Sequence, residues 1–348
     1  MKEALLKTTK KLLLLGGLFV LLNIIYGATL WYYDVDIHSD TLENLWPHEI
    51  ESDILYFGES SNFYTEHADT PKVRISHYLN NMIPELRIHH VDNAGLVASN
   101  YLHIMRHIPK ESEVQAIIVT MNMRSFGPTW IFDSNSNYLK KADELIKPRP
   151  KLLNRFFIAL KTYDYLDEKK RQELLTNAWK SPLHFHTELP YPSLDEWNKG
   201  IGNGGILRED GSWDMDKIPL ACQHIKNFAF QIDFETNPRV KDFDAIVQLA
   251  KEQGWLLAFH LLSVNIDETR MLVGEELALL MEENAAQLIE RYESQGVLVV
   301  NNLHAVPESE FRDRTVPTEH YNNFGKKLCA EMLRKELNEK WTQKLARE

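Results

Sequence analysis

Residues 12–33 contain no charged side chain, and a run of that length and composition has few ways to fold. As a helix it is long enough to cross the hydrocarbon core of a bilayer. Lys2, Lys7, Lys10 and Lys11 precede it, whereas Asp34, Asp36 and Asp40 follow it. By the positive-inside rule this asymmetry keeps the amino-terminal tail in the cytoplasm and exports everything after Tyr33, to the periplasm or the cell exterior. Trp31, Tyr32 and Tyr33 suit the outer interface. A cleaved signal peptide is the competing reading, but the run is long and has no clean small-x-small cleavage site. The expectation is a single uncleaved span within residues 1–33, a polar stalk over 34–52 and an exported domain over 53–348.

The rest of the 348-residue chain is ordinary globular material, 44% hydrophobic and 26% charged, which suits one large domain or two smaller ones. A formal net charge of -11 argues against nucleic acid as a partner, since a nucleic-acid binder carries a basic face. The two cysteines, Cys222 and Cys329, are too few for a disulfide framework. No phosphate loop and no dinucleotide glycine fingerprint occurs, so no cofactor is expected.

Short apolar runs at 54–57, 87–92, 116–121, 255–262 and 297–300 read as strands. Amphipathic segments at 72–83, 99–108, 243–253 and 271–295 read as the helices between them, and a closing helix starts near Asn323. Gly254 and Gly296 stand where helix-ending glycines belong. Alternating strands and helices predict an α/β fold, a flavodoxin-like three-layer sandwich with about five parallel strands. The rhythm breaks between about residues 127 and 235, where helical segments and a Gly- and Trp-rich loop region suggest a mostly helical insertion, a cap or side subdomain.

The first strand stops abruptly at Gly58-Glu59-Ser60, and open α/β sheets place ligands at such carboxyl ends. Far along the chain, His320 stands on a loop after the last strand, just before the closing helix, and so on the same sheet edge. Read together with Asn93-Ala94-Gly95 and Asn122, these blocks resemble the SGNH/GDSL hydrolase family, in four separated places spanning most of the exported part. Gly58-Glu59-Ser60 is similar to the family's Gly-Asp-Ser block, with Glu59 in place of Asp. The resemblance implies Ser60 as nucleophile and His320 as its base. The N–H groups of Ser60 and Gly95, with the amide of Asn122, would form the oxyanion hole. The chemistry is consistent with those roles, because a serine hydroxyl needs a base to attack at neutral pH and charge then develops on the carbonyl oxygen. The family's acid lies three residues before the histidine, where this chain has Pro317. Asp313 is the first alternative, Glu319 the second, and a Ser–His dyad the third.

The resemblance, with the anchor, implies an exported, membrane-anchored serine ester hydrolase or O-acyltransferase acting on an acylated glycan or other ester of the cell envelope, similar to polysaccharide O-acetyltransferase and D-alanyl transfer proteins of that family. The alternative is an inactive protein of the same fold that binds glycan or an envelope protein partner. Other constellations are weaker. His184-Phe185-His186 has no acidic or Cys partner at zinc spacing, so no metal is expected. His89 and His90 read as a strand end, and His260 as a core histidine or pocket wall. Tyr191, Trp197 and Trp213 suit packing of the insertion or stacking on sugars.

Overall fold

The computed structural model describes residues 2–38, 51–65, 69–132, 141, 144–164, 166–179, 206–207, 213–214, 218–312 and 317–341. The chain divides into two compact units, one formed by residues 1–46 and 134–166, the other by 47–133 and 167–348. The expected insertion at about 127–235 is therefore divided between them, its first part grouping with the amino-terminal helix.

The larger unit is an α/β fold. Its strands are β1 (Ile54–Gly58), β2 (Ile88–Asp92), β3 (Ala116–Met121), β4 (Leu256–Leu261) and β5 (Leu298–Asn301), in one sheet of order β2-β1-β3-β4-β5. Every neighbouring pair in it is parallel. Parallel strands buried on both faces read as continuous apolar runs, which is why Ile54–Phe57 and Ala116–Met121 were legible as strands. Alternate side chains go to opposite layers. Ile54, Tyr56, Ile118, Ala258 and Val300 pack with Ile75 and Leu79 of one helix and with Cys329, Leu333 and Leu337 of another. Those helices, Ile75–Met82 and Asn323–Lys340, form one outer layer. Across the sheet, Phe259 meets Phe243 edge to face at 5.0 Å and Tyr292 at 4.9 Å. Phe243 and Tyr292 belong to the helices Pro238–Gln253 and Glu275–Glu293. Each fully buried ring of this kind contributes about 1.5–3 kcal/mol over an exposed one. The two latter helices end as their sequences predict, with Gly254 at φ 76° and Gly296 at φ 84°, a conformation that costs a side-chain-bearing residue energy.

One polar network runs through this apolar interior. Asn302 Nδ2 donates to His260 Nε2 at 2.8 Å and to the Cys329 carbonyl at 3.1 Å. That arrangement leaves His260 Nδ1–H to donate to the Tyr56 hydroxyl at 2.9 Å. Burial pushes the His260 imidazole down to about 3, so it stays neutral. His260 is a satisfied core histidine, and Cys329 is buried and unpaired.

The smaller unit holds α1 (Lys2–Thr29), α2 (Trp31–His38) and α3 (Lys151–Ala159). Residues Leu6–Thr29 are long and apolar enough to cross a membrane. The predicted stalk begins as helix instead, since α2 runs on to His38 and its Asp34 accepts a hydrogen bond from Tyr26 at 2.6 Å. Asn23 Oδ1 accepts the N–H of Leu152 at 2.9 Å, Arg155 Nε lies 3.3 Å from Asp34, and Lys151 Nζ sits 3.6 Å above the Trp31 ring.

Candidate active site

The site begins with the way β1 ends. A Cβ on Gly58 would stand 2.9 Å from the Cβ of Asn62 and 3.1 Å from the Tyr56 ring, so only glycine lets the short turn Ser60–Phe63 fold back onto the strand. Asn62 fixes that turn. Its Nδ2 donates to Asp92 at the end of β2 (2.5 Å) and to Ser76 Oγ (3.1 Å), and its Oδ1 accepts the Ser76 N–H (2.9 Å). The strand order reverses between β1 and β3, and ligands of doubly wound sheets bind in the crevice at such a reversal. Ser60 is half-buried there, while its neighbour Ser61 is fully buried.

His320 arrives from the other end of the chain. Phe311 and Tyr321 form an antiparallel bridge, Arg312 N–H donates to the His320 carbonyl at 3.0 Å, and Asn322 N–H donates to that of Glu310 at 2.9 Å. Asn322 also caps the last helix, its Oδ1 accepting the Gly325 N–H at 2.8 Å. The Tyr321 hydroxyl donates to the Ser263 carbonyl, 2.7 Å away, inside the core. The loop thus held places His320 Nε2 at 2.9 Å from Ser60 Oγ, across 260 residues of sequence. The imidazole stacks on Tyr64, with centroids 4.1 Å apart and planes 14° from parallel.

Beneath this pair lies a buried cluster. Asn122, just after β3, donates one Nδ2 proton to Glu59 Oε1 (2.8 Å) and the other to Glu319 Oε2 (2.9 Å). Its Oδ1 accepts the Arg124 N–H at 3.0 Å, capping the turn Met123–Phe126. Arg124 grips the Glu319 carboxylate through both Nε and its terminal nitrogen, with Nε 2.8 Å from Oε1, and its guanidinium lies 5.1 Å over the Trp130 ring. Burial first, and then the negative charge of Glu319, push the Glu59 carboxyl up to about 7. Glu59 therefore holds a proton through most of the acid range, while Glu319 has a buried cation as its counter-charge.

The other predicted residues fall as follows. Gly95 sits at φ 72° in the turn directly after β2. Asn122 stands at the end of β3, with both amide protons directed to carboxylates, so it would have to release one to reach an oxyanion. Glu319 is held by Arg124 and Asn122. Asp313 lies outside the described residues, as do His184, His186, Tyr191 and Trp197. His89 and His90 are within β2, their rings stacked 5.7 Å apart. Among the described residues no group of three or more His, Cys, Asp or Glu could hold a metal ion.

Sequence reasoning missed Arg124 and Tyr64. Tyr64 follows Ser60 by one turn of helix, a spacing that could have flagged it as a neighbour of Ser60. Arg124 had no such signal, because an arginine beside a strand end is ordinarily solvated. No protein-family model matches the chain, and no curated protein is significantly similar to it.

Proposed function

We propose that this chain is a serine ester hydrolase or O-acyltransferase of the SGNH type, held in the membrane by α1, with its α/β unit exported. The observation that carries the reading is the 2.9 Å contact between Ser60 Oγ and His320 Nε2 at the sheet's reversal point. Neutral His320 takes the Ser60 proton as Oγ attacks the carbonyl carbon of the ester. The resulting imidazolium protonates the departing alkoxide and leaves an acyl-serine. The N–H of Ser60, at the open start of its helical turn, faces the developing oxyanion, joined by that of Gly95. Asn122 joins them when one of its protons turns from a carboxylate. Water or a sugar hydroxyl then attacks the acyl-serine, with His320 as base, giving hydrolysis or transfer. Specific contacts of α1, Tyr26 to Asp34 and Asn23 to Leu152, favour a retained anchor over a removed leader, and an anchor favours an envelope ester as substrate.

The second reading, a glycan- or partner-binding protein with a silent site, is favoured by Asn122, whose two amide protons both serve the buried carboxylates. The two readings separate in one experiment on the full chain in detergent, using a fluorophosphonate probe and an activated acetyl ester. Catalysis gives probe labelling and ester turnover that both vanish in Ser60→Ala and fall at least a thousandfold in His320→Ala. Absence of labelling between pH 6 and 9 in folded protein would leave only the silent site.

A further inference from the structure

Helix α3 presents two unlike faces. Asn154 and Ile158, one turn apart, are buried, and Asn154 Nδ2 donates to the carbonyls of Leu145 and Lys147, both at 2.9 Å. Phe156 and Leu160, also one turn apart, are 56% and 58% exposed. Isolated exposed apolar side chains are ordinary in soluble proteins. Here the same compact unit also exposes Ile24, Ile25 and Leu30. The tie between α3 and α1 sets the level. Leu152 bonds to Asn23, roughly 9 Å inside the Thr29 end of the span at 1.5 Å per helical residue, while Arg155 pairs with Asp34 beyond that end, so α3 stands at the boundary. Interfacial helices bury their apolar faces about 5–10 Å deep, at the same depth. The charge is of the matching sign as well. Lys147, Arg149, Lys151, Arg155 and Lys161 stand within residues 144–161, in a chain of net charge -11, and although Lys147 and Arg149 pair with Glu144 and Arg155 with Asp34, the stretch keeps a positive balance.

We propose that α3 is a second membrane contact, lying in the bilayer surface beside the outer end of α1, with Phe156 and Leu160 in the acyl-chain boundary and its basic residues among anionic lipid headgroups. Lys151, 3.6 Å above the Trp31 ring and 5.4 Å from that of Tyr32, sits where aromatic side chains mark the interface. The inference rests on α1 being retained in the bilayer and is independent of any chemistry at Ser60.

The test places the photo-crosslinking residue p-benzoylphenylalanine, one position at a time, at Leu21, Phe156, Leu160 and Leu279. The full chain is reconstituted into vesicles of phosphatidylcholine and phosphatidylglycerol with alkyne-tagged acyl chains. Leu21 reports the span, and Leu279, 54% exposed in the α/β unit, reports ordinary surface. Lipid transfer at Phe156 and Leu160 within about fivefold of Leu21, and at least tenfold above Leu279, is expected. A threefold preference for the tagged anionic lipid over the neutral one is expected at the same two positions. Transfer at Leu21 with only the Leu279 level at Phe156 and Leu160 would overturn the proposal while leaving the anchor intact. Background transfer at Leu21 as well would remove the anchor and the proposal together. Cross-linked dimers at Phe156 in place of lipid adducts would assign the face to a second copy of the chain and overturn it too.

Discussion

Two of the buried polar networks in the α/β unit differ in charge. Tyr56, His260 and Asn302 form a neutral chain of hydrogen bonds through the middle of the sheet. Glu59, Asn122, Glu319 and Arg124 form an ionic cluster at its carboxyl edge, directly under the Ser60–His320 pair. A neutral network is satisfied by hydrogen bonding alone and adds rigidity. An ionic one needs its full complement of partners, because a lone charge left inside costs several kcal/mol. Of these two networks the charged one lies beside the residues proposed to react, and the one within the sheet is neutral.

Removing one partner from each network should expose the difference. Arg124→Ala leaves the Glu319 carboxylate buried without its cation and should cost about 3–5 kcal/mol in urea unfolding of the detergent-solubilised chain. It should also slow fluorophosphonate labelling of Ser60 by about tenfold or more, since Glu319 immediately precedes His320. Arg124→Lys, which keeps the charge but not the fork, should restore part of the stability and less of the labelling. Tyr56→Phe orphans one buried ring nitrogen and should cost about 1–3 kcal/mol, with labelling unchanged. If Tyr56→Phe slowed labelling as much as Arg124→Ala, the separation between the networks would be lost.

Smaller effects follow from titration, and the two networks should respond in opposite directions. Folded Glu59 keeps its proton up to about 7, whereas an unfolded glutamate releases it near 4.5. Between those values the unfolded chain binds fewer protons, so this residue lowers stability as pH rises through that window. Glu59→Gln retains an acceptor for Asn122 and should gain on the wild type at pH 8 but not at pH 4. His260 runs the other way. Its folded value is near 3 against an unfolded 6.5, so its contribution falls as pH drops from 6.5 toward 3. The smallest expected effect is therefore in its NMR signal, which should not move between pH 5 and 8 in the folded chain. A His260 resonance titrating near 6.5 would mean that its pocket admits water.

Much of the larger unit was legible because buried parallel strands advertise themselves as continuous apolar runs. The runs at 116–121 and 54–57 are strands within a residue of the expected limits, and both helix-ending glycines adopt positive φ. Ser60 and His320 were legible through the company they keep, a small-residue strand end and an Asn-capped helix start. The support under them was not. Arg124 and Glu319 are 195 residues apart and pair only after folding, and nothing local distinguishes a buried arginine from a solvated one. The link from Asn23 to Leu152 was hidden for the same reason, so residues 134–166 read as part of a cap when they group with the span. Asp34–His38 read as stalk because acids suggest solvent, yet Asp34 has Tyr26 and Arg155 as partners and the helix continues.

The 260-residue separation of Ser60 from His320 also has a consequence in time. Domains generally fold as units during synthesis. The strands β1, β2 and β3 are made by Met121, so Ser60 is synthesised while more than half of the chain, with β4, β5 and the last helix, is still unmade. The histidine cannot join it until the loop 317–322 has emerged and the last helix has docked on Ile75–Met82. A partly made chain therefore carries Ser60 without His320 beside it. The pair forms only once residues from both ends of the fold are present.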